Sequence, residues 1–205
     1  MSKRDLMLQR AWDIFVTHGY IGTSTDQLAA AASVSKQTLY REFGDKQGVF
    51  AALIKYACDQ VQDPFAPLRA KMRECDSASE AVCLLAEQLM RSIMNPRVQQ
   101  LRRLVIAEAG RFPDLGLLYW EKGFLRVIAS ISHCLQVLHE RQLLDVPDTE
   151  LAAHHFAGLL LWIPSNQVMF AGQARPLREE DLARVLDRGV EAFVSAYAPR
   201  STHGV

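Results

Sequence analysis

Residues 24–47 read STDQLAAAASVSKQTLYREFGDKQ, and this stretch decides the fold of the chain. Its first part predicts a short helix, because Thr25 can act as the N-cap and Asp26 places negative charge at the positive end of the helix dipole. Apolar side chains recur there at helical spacing, namely Leu28, Ala29 and Ala32. The triplet Ser33-Val34-Ser35 interrupts this pattern, and Val34 is expected at a buried corner. The stretch therefore predicts a helix followed by a tight turn.

A second short helix is predicted from Lys36 to Phe43. Ser35 is placed to cap it, and Gly44 follows it in the position of a glycine that ends a helix. Leu39 and Phe43 form its buried side. The opposite side is polar and comprises Lys36, Gln37, Thr38, Tyr40 and Arg41. Such a two-helix corner is the layout that reads the major groove of DNA, although many ordinary helical corners share it.

Helices are also predicted on both sides of this corner. Residues 4–18 carry an apolar stripe of Met7, Leu8, Ala11, Ile14 and Phe15. Gly19 is expected to end that helix. After the corner, Asp45 is placed to cap a fourth helix with an apolar side formed by Val49, Phe50, Leu53, Ile54 and Ala57. Together these helices predict a DNA-binding domain at residues 1–62.

The spacing of these residues resembles the TetR family of transcriptional regulators over residues 4–55. The matching positions are Phe15 to Tyr20, Thr25, Leu28, Ala29, Val34, Ser35, Lys36, Thr38, Leu39, Tyr40, Phe43 and Lys46. The resemblance implies a domain that binds a DNA operator as a homodimer, a larger helical domain that senses a small molecule, and usually repression. One departure is Ser33, where the family usually has glycine. If φ is positive at Ser33, serine costs about 1 kcal/mol relative to glycine.

The rest of the chain predicts a helical domain at residues 63–205, with Pro64 and Pro67 marking the boundary. Five helices are predicted there, at about Ser77–Met94, Arg97–Arg111, Asp114–Arg141, Thr149–Phe170 and Arg178–Tyr197. No β-type alternation is visible, so the expected fold is all-α with about nine helices. The segment Arg103–Phe124 resembles the C-terminal domain of the AefR-like branch of the family.

Composition restricts the class of protein. The chain has 205 residues, 49% of them hydrophobic, and its 23 basic and 23 acidic residues cancel. Diffuse polycationic binding of nucleic acid is therefore excluded, and any DNA contact must come from local placement of charge. No signal-peptide core is visible, and the apolar run Phe156–Ile163 is too short to span a bilayer. We expect a cytoplasmic protein with no membrane partner.

The four cysteines are scattered, with no CxxC pair and no spacing suited to a metal. They are typical of small core residues in a reduced protein, with a redox-sensing thiol as the alternative. Neither a metal nor a cofactor is expected.

Roles on the DNA side follow from residue type and from the resemblance. Lys36, Gln37 and Thr38 begin the second helix of the corner, where Gln37 can pair with adenine and the Thr38 methyl can meet the methyl of thymine. A solvated surface amide is the alternative for Gln37, and an edge-packed aromatic is the alternative for Tyr40. Arg41 is a further candidate DNA contact on the same side. The resemblance implies phosphate contacts from Thr25, Ser35, Tyr40 and Lys46.

A ligand pocket is expected among the middle helices. Large adaptable apolar groups and one polar side chain are the candidates, namely Met90, Met94, Trp120, Phe124, His133, Trp162, Met169 and Phe170. Such a lining suits a hydrophobic or aromatic effector, although any single one of these residues is more often part of the core than of a pocket. Pro164 leaves one backbone carbonyl of its helix without a donor, which predicts a kink.

The last two helices are candidates for a homodimer interface, because their apolar stripes are wider than one packing partner needs. The alternative is that they only close the core of one protomer. An enzyme is a rival class, but no phosphate-binding loop, nucleophile elbow or HExxH helix is visible. A helical interaction module is a second rival, and it leaves the polar side of residues 36–41 unexplained.

Overall fold

The structure is a computed structural model of the chain, and it describes residues 2–60, 63 and 65–199. The regular secondary structure of these residues is helical, without β-strands, so the predicted all-α fold is confirmed. The chain forms two compact units. One comprises Met1–Gln62 and Gln100–Leu125, and the other comprises Asp63–Gln99 and Arg126–Val205.

The first four helices of the chain lie in the first unit. They are α1 (Lys3–Gly22), α2 (Thr25–Ala31), α3 (Lys36–Phe43) and α4 (Lys46–Gln60). Three aromatic rings join α1 to α4, because Phe50 lies 5.1 Å from the ring of Phe15 and 5.3 Å from the ring of Tyr20. Leu28 and Leu39 add α2 and α3 to the same buried cluster. The predicted four-helix arrangement around the corner is confirmed.

Residues 100–125 pack with these four helices, whereas the sequence had placed them in the second domain. They include most of α7 (Pro96–Ala109), all of α8 (Pro113–Tyr119) and a π-helical segment, Trp120–Leu125. Leu101, Val105 and Leu115 are buried in the cluster that contains Phe15 and Phe50. Their assignment depends on which apolar faces meet, and residue spacing along the chain does not contain that information.

The second unit is built from the remaining helices. They are α5 (Ala66–Met72), α6 (Ala78–Ile93), α9 (Arg126–Glu140), α10 (Thr149–Asn166) with a π-helical extension Gln167–Ala171 and a short turn Gly172–Ala174, and α11 (Glu179–Ala196). Helix α10 packs on both α9 and α11, and α6 packs on α11. Fully buried Leu85, Leu135, Phe156 and Phe193 belong to the core that joins them.

Several helix boundaries differ from the predicted ones for local reasons. Ser24, and not Thr25, caps α2, because Ser24 has an extended backbone and its side chain accepts from the Gln27 N–H. Gly19 has non-helical dihedral angles, φ 67° and ψ 176°, so the first helical run stops there as predicted, and a short helical turn continues α1 to Gly22. The short helix α5 was not predicted, and Pro67 lies in its first turn. Pro64 lies outside the described residues.

Of the two long predicted helices, Asp114–Arg141 is interrupted by a π-helical segment and Thr149–Phe170 ends in one. In the first, Gly123 lies where an added Cβ would come within 3.4 Å of Cys58 Sγ, so the missing side chain permits this close packing. In the second, Pro164 is inside α10 and has no N–H to donate. The hydrogen-bonding register widens a few residues after Pro164, over Gln167–Ala171.

Candidate functional site

The turn between α2 and α3 is closed by two backbone hydrogen bonds. The Val34 N–H donates to the Ala29 carbonyl at 3.0 Å, and the Ser33 N–H donates to the Ala30 carbonyl at 3.0 Å. This pair of bonds is the Schellman arrangement, which needs a left-handed residue after the helix end. Ser33 supplies it with φ 54°. The strain predicted for serine at this position is therefore present.

Helix α3 is held with one side inward and one side outward. The Ser35 Oγ accepts from the Thr38 N–H at 3.1 Å and caps the helix as predicted. Leu39 is buried, and Arg4 of α1 forms an ion pair with Glu42 at 3.2 Å. Gly44 ends the helix with φ 81°. These contacts fix α3 on the first unit and leave its polar side free to meet a partner.

The outward side of α3 contains the predicted base-reading residues. Lys36, Gln37 and Arg41 are exposed, and Thr38 is half-buried with its hydroxyl 2.9 Å from that of Ser35. Lys36 is paired with Asp26 of α2, with Nζ 3.0 Å from the carboxylate. The hydrogen bond from Lys36 to Asp26 raises the pKa of this lysine. The side is thus polar and hydrogen-bonding but carries little net charge.

The residues expected to hold phosphates surround this side. The Tyr40 hydroxyl lies 3.3 Å from the Thr25 hydroxyl, which joins α3 to the start of α2. The Lys46 ammonium donates to the carbonyls of Tyr20 at 2.9 Å and Thr23 at 2.8 Å, and it lies 4.4 Å from the centre of the Tyr20 ring. Since an ammonium has three donors, these two carbonyls leave one donor of Lys46 unused. This internal role of Lys46 was missed by sequence reasoning.

A groove of about 400 Å³, open to solvent along the exposed residues Arg91, Asn95 and Ala183, lies in the second unit between the C-terminal part of α6 and the N-terminal part of α11. We call it the α6–α11 cavity. It is lined by Met90, Arg91, Met94, Asn95, Pro96, Leu182, Ala183 and Leu186. Met90 and Met94 were predicted to line a pocket, whereas the other six residues were not. Met90 and Met94, like Leu182 and Leu186, are four residues apart and so lie on the same side of their helix. This spacing is the sequence feature that could have predicted a shared lining.

The other predicted ligand residues do not line this cavity. Trp120 and Phe124 lie in the first unit and stack on each other at 4.4 Å, with 46% and 37% of their surfaces exposed. Trp162 and Phe170 are 73% and 87% exposed, because they lie on the outer side of α10 and its extension. His133 is exposed on α9, and Met169 is half-buried. Residue type alone does not distinguish these side chains from pocket residues, because pockets are lined by the same apolar and polar residue types.

The cysteines do not form a thiol pair or a metal centre. Cys58, Cys75 and Cys134 are buried, and burial raises the pKa of Cys134 to about 12. Burial likewise raises the pKa of Cys83. A raised pKa disfavours the reactive thiolate, which counts against redox sensing. Across the part of the chain that the structure describes, no cluster of three His, Cys, Asp or Glu side chains could hold a metal ion. Within the same residues, no helix has the length and apolarity to cross a membrane.

An N-terminal helix-turn-helix, followed along the chain by a larger helical part, defines this chain as a DNA-binding transcriptional regulator. Residues 7–53 match the family model described as bacterial regulatory proteins of the tetR family. Residues 80–199 match the AefR-like transcriptional repressor C-terminal domain. The chain belongs to the TetR family, whose members are regulators and not enzymes. The resemblance stated from the sequence is confirmed for both parts of the chain.

Solved structures and curated relatives agree with this assignment. A TetR-family regulator from Mesorhizobium loti is 38% identical with a TM-score of 0.87, and the match covers 96% of each chain. The flavonoid-responsive regulator FrrA is 27% identical with a TM-score of 0.73, covering 97% of this chain and 98% of FrrA. The repressor ComR of Escherichia coli is 36% identical over 76 residues, which are 37% of this chain and only 34% of ComR.

Proposed function

We propose that this protein is a repressor that binds a pseudo-palindromic operator as a homodimer and is released by a small hydrophobic or aromatic effector. The observation that carries the proposal is the exposed polar side of α3, where Lys36, Gln37 and Arg41 project from a helix anchored by Leu39. A helix held in this way fits the major groove. Its residues Gln37 and Thr38 would read base edges, with Gln37 accepting from and donating to adenine.

The residues proposed to contact phosphates are Thr25, Ser35, Tyr40 and Lys46. Hydroxyls and an ammonium at the edge of the reading helix would fix its register without reading sequence. This division of labour is tested with Gln37→Ala. We expect this change to cost about 1–3 kcal/mol on the operator and much less on random DNA. An equal loss on both DNAs, measured by fluorescence anisotropy at one salt concentration, would contradict the role given to Gln37.

A homodimer through α10 and α11 is supported by the exposed outer side of α10. Leu159, Trp162 and Ile163 are 42%, 73% and 59% exposed, whereas Phe156 and Leu160 on the inner side are fully buried. One side of α10 therefore closes the protomer core, and the other side is available for a two-fold partner. Two copies would place two reading helices on successive turns of DNA. Trp162→Glu is expected to give a monomer in light scattering, with Glu121→Gln as the surface control.

The α6–α11 cavity is the proposed effector site. Its apolar wall and volume suit a small hydrophobic ligand. The similar protein FrrA is described as flavonoid-responsive, so flavonoids are the first effectors to test. Ligand and operator would favour different conformations of the dimer. A coupling of about 1–3 kcal/mol suffices for a five- to hundredfold loss of operator affinity.

A gel-shift experiment tests whether the protein binds DNA specifically. The probe is the DNA upstream of the gene of this protein, with random DNA as competitor and with flavonoid present or absent. We expect a specific complex that weakens with added salt, because phosphate contacts release counterions. A protein that binds random and upstream DNA equally well at every salt concentration would refute the proposed function and favour a helical interaction module.

A further inference from the structure

Behind the wall of the α6–α11 cavity lies a buried amide with one unused acceptor. Gln99 is 4% exposed, and its Nε2 donates to the Ile93 carbonyl at 2.7 Å. That bond to a carbonyl identifies which end of the amide is nitrogen. Among the residues that the structure describes, Gln99 Oε1 has no hydrogen-bond partner. Such an acceptor is uncommon in a native interior and is destabilising unless a donor reaches it.

The side chain of Met94 lies beside this amide and also forms part of the cavity wall. Its Sδ is 3.8 Å from Gln99 Nε2 and 4.0 Å from Ser165 Oγ, and Ser165 is 5% exposed. Met94 therefore lines the cavity and also contacts two buried polar groups. Methionine has three rotatable bonds and adapts its shape at low cost. A rotation of Met94 would open the cavity towards Gln99.

We propose that Met94 is a gate to Gln99, and that the effector is an apolar molecule carrying a hydroxyl group that donates to Gln99 Oε1. The inference rests on the proposed function, because it specifies the chemistry of the effector. The cavity of about 400 Å³ is large enough for a molecule of two fused rings. Since the wall is mostly apolar, one hydrogen bond to a buried acceptor can decide between a hydroxylated ligand and its methyl ether.

The test compares two probes on the full chain, 2-naphthol and 2-methoxynaphthalene. They share the ring system, and the methyl ether keeps the oxygen but lacks the donor. We expect the wild-type protein to bind 2-naphthol roughly tenfold more tightly, as one hydrogen bond to a buried group predicts. In Gln99→Met the ratio of the two dissociation constants should fall to about one. Thermal unfolding should show this variant to be close to the wild type in stability, because removal of the unsatisfied acceptor offsets the loss of the Nε2–Ile93 hydrogen bond.

Two further variants separate the gate from the cavity. Met94→Ile replaces a flexible side chain with a stiff β-branched one, so it should retain binding of the methyl ether and lose the preference for 2-naphthol. Ala183→Phe fills the cavity from α11 and should weaken both probes equally. Equal binding of the two probes by the wild-type protein overturns the inference. A preference that survives in Gln99→Met also overturns it, as does the absence of binding by either probe.

The same proteins are assayed on upstream DNA, so that the two proposals can fail separately. A Gln99-dependent preference in a protein that ignores its upstream DNA would refute the repressor function and leave the ligand site intact. Specific DNA binding that a flavonoid releases equally in wild type and Gln99→Met would refute the role of Gln99 and leave the repressor function intact.

Discussion

Replacing Lys46 by methionine removes three donors while keeping most of the apolar stem. In the native protein the ammonium donates to the Tyr20 carbonyl at 2.9 Å and to the Thr23 carbonyl at 2.8 Å, and Thr23 is 2% exposed. Two hydrogen bonds from a charged donor contribute about 1–1.5 kcal/mol each at a half-buried position, and the cation–π contact with Tyr20 adds about 0.5 kcal/mol. We therefore expect Lys46→Met to lower the free energy of unfolding by about 3 kcal/mol.

Urea unfolding followed by circular dichroism at 222 nm measures this loss, with both proteins at the same concentration because a dimer unfolds in a concentration-dependent way. Lys55→Met is the matched control, since Lys55 is exposed on the same helix. It should change stability by less than about 0.5 kcal/mol. If the free energy of unfolding falls by the same small amount in both variants, the hydrogen bonds of Lys46 do not stabilise the contact between α4 and the end of α1. The effect of Lys46 on DNA binding would then be that of a phosphate contact alone.

Three further changes test the corner and one ion pair. Ser33→Gly should stabilise the protein by about 0.5–1 kcal/mol, because glycine adopts the observed φ of 54° without strain. A loss of stability in urea would show that this turn is not strained. Asp26→Asn frees Lys36 from its ion pair, so the slope of log K against log salt concentration should steepen by about 0.9. An unchanged slope would exclude a contribution of the freed Lys36 charge to the electrostatic part of DNA binding. Burial alone would raise the pKa of Asp63, but hydrogen bonds led by that from Arg69 lower it. Such a carboxylate stabilises the fold above its unfolded pKa, so stability should fall as the pH drops below about 4, and less so in Asp63→Asn. Acid unfolding that is identical in both proteins would remove this ion pair from the explanation.

Local signals explain why the corner could be predicted from residues 24–47. Ser35 and Gly44 act within one turn of α3, so their positions in the sequence determine where that helix begins and ends. The side of α3 that contains Gln37 is likewise set by the 3.6-residue period once Leu39 is buried. The predicted N-cap of α2 was wrong by one residue. Ser24 and Thr25 are neighbours, and the hydroxyl group of either can accept the capping hydrogen bond.

Contacts between distant segments of the chain could not be predicted from these local signals. The packing of residues 100–125 with the first unit, the carbonyl partners of Lys46 and the acceptor left unused on Gln99 all depend on surfaces brought together from far apart in the chain. The sequence by itself determined most of the helices, the polar side of α3 and the family, because periodicity, capping and motif spacing act over a few residues. Only the tertiary structure decided which apolar residues line the α6–α11 cavity and which remain exposed, because apolar side chains pack by shape and without direction.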